Sequence, residues 1–216
     1  MRLTDQAYNI IKQRIVSLAY PPKTVINEAE LMIELGIGRR PIHEALQRLE
    51  RDKLVSIVAR RGTFVTEISI GDLSQIFDNR LLLETYIAKL AAQRGKPAHW
   101  DQMEQVLDDI NKKGANATLE ELVEADRKCH EIMFTASNQK YLIDTLIMLY
   151  AQTNRLWYTY VPGVAHMHNS IAEHETILAA LRARNSALAG QLLHTHIQKI
   201  RDEVQAVVLA ELMPAR

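Results

Sequence analysis

Apolar residues recur at helical spacing along most of this chain and alternate in only one short stretch. Ala7, Ile11, Ile15 and Leu18 stand three and four apart, which predicts a helix from Asp5 to Leu18. Tyr20-Pro21-Pro22 stops it, because proline has no N–H for the ladder. Asn27 followed by Glu30 predicts a capping box, with Ile26 and Leu31 as a hydrophobic staple, and the short helix ends at Gly36. A third helix buries Ile42, Ala45, Leu46 and Leu49, with Pro41 in its first turn. Its opposite stripe carries Arg39, Arg40, His43 and Gln47. After Leu54 the period becomes two: Val55–Val58 and Thr63–Thr66 predict a hairpin around Ala59-Arg60-Arg61-Gly62, with Gly62 supplying backbone freedom.

Residues 67–72 read as a connector, with Ser69 and Asp72 as another capping box. Six long amphipathic helices follow, over about 72–94, 98–113, 119–136, 140–160, 168–183 and 186–213. The breaks fall at Gly95-Lys96-Pro97, Gly114, and Pro162-Gly163. Short loops between long helices predict an antiparallel bundle. The fold class is therefore mainly α: a winged helix-turn-helix over 1–66, a linker over 67–72 and an all-α antiparallel helical bundle over 73–216.

Composition narrows the picture. Apolar residues make up 47% of the 216, enough for a buried core, and 8 Gly and 6 Pro exclude collagen-like and low-complexity chains. No apolar run is long enough to span a membrane, and the polar start lacks a signal-peptide core. A lone cysteine, Cys129, makes no internal disulfide, so the cytoplasm is the expected compartment. The net charge of zero divides unevenly: residues 1–66 hold 11 Lys+Arg against 7 Asp+Glu. A basic head on an acidic body predicts that the head meets a polyanion.

In a winged helix-turn-helix, the start of the second helix of the turn enters the major groove of double-stranded DNA. Arg39, Arg40, His43 and Gln47 stand there, where arginine reaches guanine edges and other donors reach phosphates. Arg60, Arg61 and Gly62 form a wing tip suited to the flanking minor groove. The segments Ile26-Asn27-Glu28-Ala29-Glu30-Leu31, Gly36 to Glu50, Leu54-Val55 and Arg61-Gly62-Thr63-Phe64-Val65 resemble the GntR family of bacterial transcription regulators. Three positions depart from that family's pattern: Gly38 replaces a Ser or Thr cap, Arg40 a Thr, and His43 an arginine that touches DNA. Arg39 matches the family's base-reading arginine, and the departures leave the operator sequence open.

The body holds a second constellation. Asp126 and His130 are four apart on a face shared with Leu122, Val123, Cys129 and Met133. His174 is flanked by Ile171, Ile177 and Leu178, and His196 by Leu192, Leu193 and Ile200. Three histidines and an aspartate thus point inward from three helices, and buried polar groups need a common partner. One carboxylate and three imidazoles suit a divalent transition metal: zinc first, with nickel or manganese as alternatives. His166 and His168 are expected in a solvated loop, His194 on another face, and His99 at the surface. Arg155 and Trp157 are open between cavity and interface.

The order Asp-x3-His, His, His also resembles the FCD effector domain of the FadR-like GntR branch, over nearly the whole chain. The resemblance implies that Arg80 binds the carboxylate of a small effector; a salt bridge to Glu84 is the alternative. A cation facing an open metal would hold a small organic anion by both ends. The expected protein is a homodimeric, ligand-responsive regulator, in this family most often a repressor, on a palindromic operator. It has no catalytic residues and is not an enzyme. Two alternatives remain: a metal-dependent enzyme with a DNA-binding appendage, and a regulator whose metal only staples the bundle.

Overall fold

A computed structural model describes the backbone of residues 1–160 and 164–212; the side chains of residues 70, 160, 164–166 and 211–212 fall outside the described set. The elements in order are α1 (Leu3–Val16), β1 (Val25–Ile26), α2 (Glu28–Leu35), α3 (Arg39–Arg51), β2 (Val55–Val58), β3 (Gly62–Val65), α4 (Ile70–Arg94), α5 (Pro97–Lys113), α6 (Leu119–Ala136), α7 (Lys140–Tyr160), α8 (Val164–Arg182) and α9 (Ser186–Leu212). A 3-10 turn over Gly114–Asn116 follows α5. The chain divides into two compact units, Met1–Ser69 with Asn154–Thr159, and Ile70–Thr153 with Tyr160–Arg216.

The first unit is a winged helix-turn-helix. Ala7, Ile11 and Ile15 of α1 meet Leu31, Ile42, Ala45, Leu46 and Leu49 in one core. Asn27 caps α2 by accepting from the N–H groups of Ala29 and Glu30. The expected return bond from Glu30 to the backbone is replaced by a side-chain pair, Asn27 Nδ2 to Glu30 Oε1 at 2.9 Å. Gly36 ends α2 in the left-handed region at φ 62°, which glycine adopts without a Cβ clash. Helix α1 stops before Leu18, which takes φ 61° and leaves the ladder.

The wing has one more strand than the pattern predicts. The sheet order is β1-β3-β2, with Val25 opposite Phe64 and Val55 opposite Val65. Strand β1 is two residues long, too short to show a period. The wing turn also rests on more than Gly62: Arg60 takes φ 63° beside Gly62 at φ 111°. Arg155 and Trp157 are buried, and Arg155 donates to the hydroxyl and carbonyl oxygens of Thr66 within this unit.

The second unit is all helix. Asp78, Lys89 and Gln93 of α4 lie against Arg201, Gly190 and Ser186 of α9, so the two run antiparallel. Helices α5 and α8 also run antiparallel, joined by Asn111–Glu175 and Glu104–Arg182 contacts. Thr118 and Glu121 close a reciprocal capping box at the start of α6. Two boundaries and one exposure differ from the pattern. Helix α4 begins at Ile70, inside the expected 67–72 linker. Helix α8 begins at Val164, so His168 is helical rather than in a loop, while the Pro162-Gly163 break lies outside the described residues. His99 is half-buried rather than exposed, because its Nδ1 accepts from Lys96 N–H and caps α5.

Candidate functional site

Asp126, His130, His174 and His196 come together in the second unit, all buried, with one ligand atom from each within 4.8 Å of the others. Helix α6 supplies the first two, α8 and α9 the others. Nε2 of His130 lies 3.4 Å from Nε2 of His196. His174 Nδ1 and His196 Nε2 lie 3.7 Å and 3.8 Å from Asp126 Oδ1.

Each imidazole is anchored through Nδ1. His130 Nδ1 faces Glu84 Oε2 at 2.6 Å, His196 Nδ1 faces Glu173 Oε2 at 2.9 Å, and His174 Nδ1 donates to the Ser170 carbonyl at 2.9 Å. These partners are acceptors, so a ring in its neutral form carries its proton on Nδ1 and leaves its lone pair on Nε2. His174 Nε2 is buried with no hydrogen-bond partner among the described residues. Asp126 accepts from Ser170 Oγ at 2.9 Å and from the Tyr150 hydroxyl.

The electrostatics hold His174 neutral and Asp126 ionised. Burial, then the neighbouring His196, pushes His174 down to about 3. Burial opposes ionisation of Asp126, but the three imidazoles and Tyr150 outweigh it and hold the carboxyl below the usual range. Glu84 is held down at about 2, where Arg80 and His130 overcome burial. The hydrogen bond from His196 holds Glu173 at about 2. Three convergent lone pairs and a carboxylate fit a divalent cation, and the Nδ1 acceptors are the outer partners that orient such ligands.

Arg80 is buried to 1% exposure. Its Nε donates to Glu84 and its guanidinium lies 4.9 Å from the centre of the Tyr150 ring. Its Nη2 has no hydrogen-bond partner among the described residues. The salt bridge to Glu84 therefore forms, and one donor of the fork is left over. The spacing of Arg80 and Glu84 hinted at that pair, whereas Tyr150 and Glu173 carry no local signal toward the cluster. Two open grooves of about 520 Å³ and 430 Å³ lie on this unit, one beside Lys89, Gly190 and His194 and the other beside Gln102 and Lys128; none of the four clustered residues lines either. His194 is exposed, apart from the cluster.

In the first unit, Arg39, Arg40, His43, Gln47, Arg60, Arg61 and Gly62 are all exposed. Arg40 Nε donates to Glu44 at 2.9 Å. His43 bridges Glu28 and Gln47, at 3.2 Å each. Among the described residues no side chain pairs with Arg39, Arg60 or Arg61. The result is a donor-rich face at the start of α3 and a basic wing tip, the chemistry that reads base edges and phosphates.

A family profile described as "FCD domain" matches residues 75–199, and one described as "Bacterial regulatory proteins, gntR family" matches residues 3–65. The chain is 24% identical over 205 residues to the HTH-type transcriptional repressor RspR of Escherichia coli (strain K12), covering 95% of this chain and 90% of the relative. It is 24% identical to the gluconate operon transcriptional repressor of Bacillus subtilis (strain 168), covering 95% and 86%. The fold is similar to that of a solved structure described as E. coli McbR/YncC, with a TM-score of 0.84 at 21% identity, covering 95% of this chain and 98% of that one.

Proposed function

We infer the function from a plain premise: the chain belongs to the gntR family of bacterial regulatory proteins and carries an FCD domain. It is a transcription regulator; the relatives are named as regulators rather than enzymes, and the metal-dependent enzyme alternative falls. No described helix is long and apolar enough to cross a membrane.

The finer reading is a cytoplasmic, homodimeric repressor on a palindromic operator, released by a small organic carboxylate. Arg39, Arg40, His43 and Gln47 read the major groove, and Arg60, Arg61 and Gly62 the minor groove. Asp126, His130, His174 and His196 hold a divalent metal, zinc first. The observation that carries this is the buried set of Asp126 and three imidazoles anchored through Nδ1, with one ligand atom from each within 4.8 Å of the others. When bound, the metal supplies a Lewis-acidic point for one end of an anion. Arg80, with Nη2 unsatisfied, holds the other end. Gluconate, named for one relative's operon, is a hydroxycarboxylate of this class.

The complete burial of the cluster favours a second reading, a metal that only staples the helices. A thermal-shift screen of mono-, di- and hydroxycarboxylic acids, with and without chelator, separates the two. The effector reading expects one acid to raise Tm only when metal is present, and to weaken operator binding. Chelator destabilisation with no response to any acid supports the staple.

A further inference from the structure

Glu84 touches both halves of the site at once. One carboxylate oxygen accepts from Arg80 Nε and the other lies 2.6 Å from His130 Nδ1. A second route runs beside it: the Tyr150 ring faces the Arg80 guanidinium at 4.9 Å, and its hydroxyl donates to Asp126 Oδ2. Arg80 therefore meets two of the four clustered residues, each through one intermediary. Arg80, Glu84, His130 and Tyr150 are all buried, so water does not screen these contacts.

The physical consequence concerns the lone pair at His130 Nε2. An imidazole whose Nδ1–H is held by a full carboxylate is a stronger metal ligand than one whose acceptor shares its charge with a guanidinium. An anion arriving at Nη2 draws on the same guanidinium and leaves more of Glu84 to His130. The added negative charge acts in the same direction.

We propose that Glu84 is a positioning residue that couples Arg80 to the centre formed by Asp126, His130, His174 and His196, so that an anion at Arg80 tightens the hold on the metal. By linkage, metal occupancy strengthens anion capture by the same factor. This coupling through Glu84 adds to any direct contact between the anion and the metal. The proposal rests on the metal-and-carboxylate reading given above.

The test is a double-mutant cycle read by Zn²⁺ affinity, measured by competition with a chromophoric chelator on the full-length protein. Glu84→Gln should weaken Zn²⁺ binding about 10- to 100-fold. Arg80→Met should tighten it in the wild-type background by two effects, removed positive charge and a Glu84 left to His130. In the Glu84→Gln background only the charge effect and the route through Tyr150 remain. The factor should therefore be at least about fivefold larger with Glu84 present; an equal or smaller factor overturns the coupling. The visible spectrum of the Co²⁺-loaded protein is the second readout. Arg80→Lys should shift its bands when Glu84 is present and shift them markedly less beside Glu84→Gln. If circular dichroism shows that Arg80→Met does not fold, this lysine series alone decides, and unshifted bands overturn the proposal. A wild-type protein that takes up neither metal sinks the metal reading and the coupling together. Uptake with an additive cycle sinks the coupling alone.

Discussion

The Nε2 atoms of His130 and His196 lie 3.4 Å apart while the Nδ1 atoms of both rings face carboxylates, Glu84 and Glu173. Two lone pairs at that distance repel unless a proton or a cation sits between them. The same arrangement ties the fold of the bundle to what occupies its centre.

Stripping the protein with a chelator should therefore lower its Tm, and added Zn²⁺ should restore it. A ligand at a hundredfold excess over Kd contributes about 2.7 kcal/mol, or about 5–10 °C for a chain of this size. His174→Ala should lose most of that metal-dependent increment. A Tm indifferent to chelator and Zn²⁺ would count against a metal centre.

Tyr150→Phe removes the hydroxyl that donates to Asp126 and leaves Ser170 as that carboxylate's neutral donor. The expected cost is about 1–2 kcal/mol in stability and about tenfold in Zn²⁺ affinity. Chemical denaturation and a metal competition titration measure the two separately.

The two halves of the DNA face should fail differently. On an operator selected from a random pool, Arg39→Ala should cost about 1–3 kcal/mol and relax one base preference. Arg61→Ala should weaken binding more evenly across sequences and reduce the salt slope by about one. Fluorescence anisotropy against salt concentration distinguishes them, and identical profiles would contradict the assignment.

Two glycines should respond for different reasons. A Cβ at Gly36 meets nothing within 4 Å, so Gly36→Ala carries only the left-handed backbone cost, about 1–2 kcal/mol. A Cβ at Gly95 would lie 2.1 Å from Trp100 Cζ2, in a buried ring. Gly95→Ala should cost about 2–3 kcal/mol through overpacking, and urea denaturation should rank it the more damaging.

Cys129 is fully buried, and burial followed by the Asp126 charge pushes its thiol well above the usual range. It should resist a disulfide reagent at pH 8 until denaturant opens the bundle. Labelling that becomes faster in chelator would tie opening of α6 to the metal centre.

What could be read without coordinates was local. The cap at Thr118, the terminator at Gly36 and the four-residue step from Asp126 to His130 each act within about one helical turn. Such signals are written in neighbouring residues, so the helices and the inward faces of His174 and His196 were legible. The expected loop at His168 and exposed His99 were misplaced because the Pro162-Gly163 pair marks a break without fixing where the next helix begins, and a histidine serving as a cap partner leaves little trace in the pattern. Strand β1 was invisible because its pairing to β3 joins residues far apart in the chain. Tertiary packing alone decided that Glu84, Tyr150 and Glu173 would surround the cluster. Their contacts depend on how α4, α7, α8 and α9 rotate and slide against one another. That geometry comes from side-chain packing over the whole core, and no single helix encodes it.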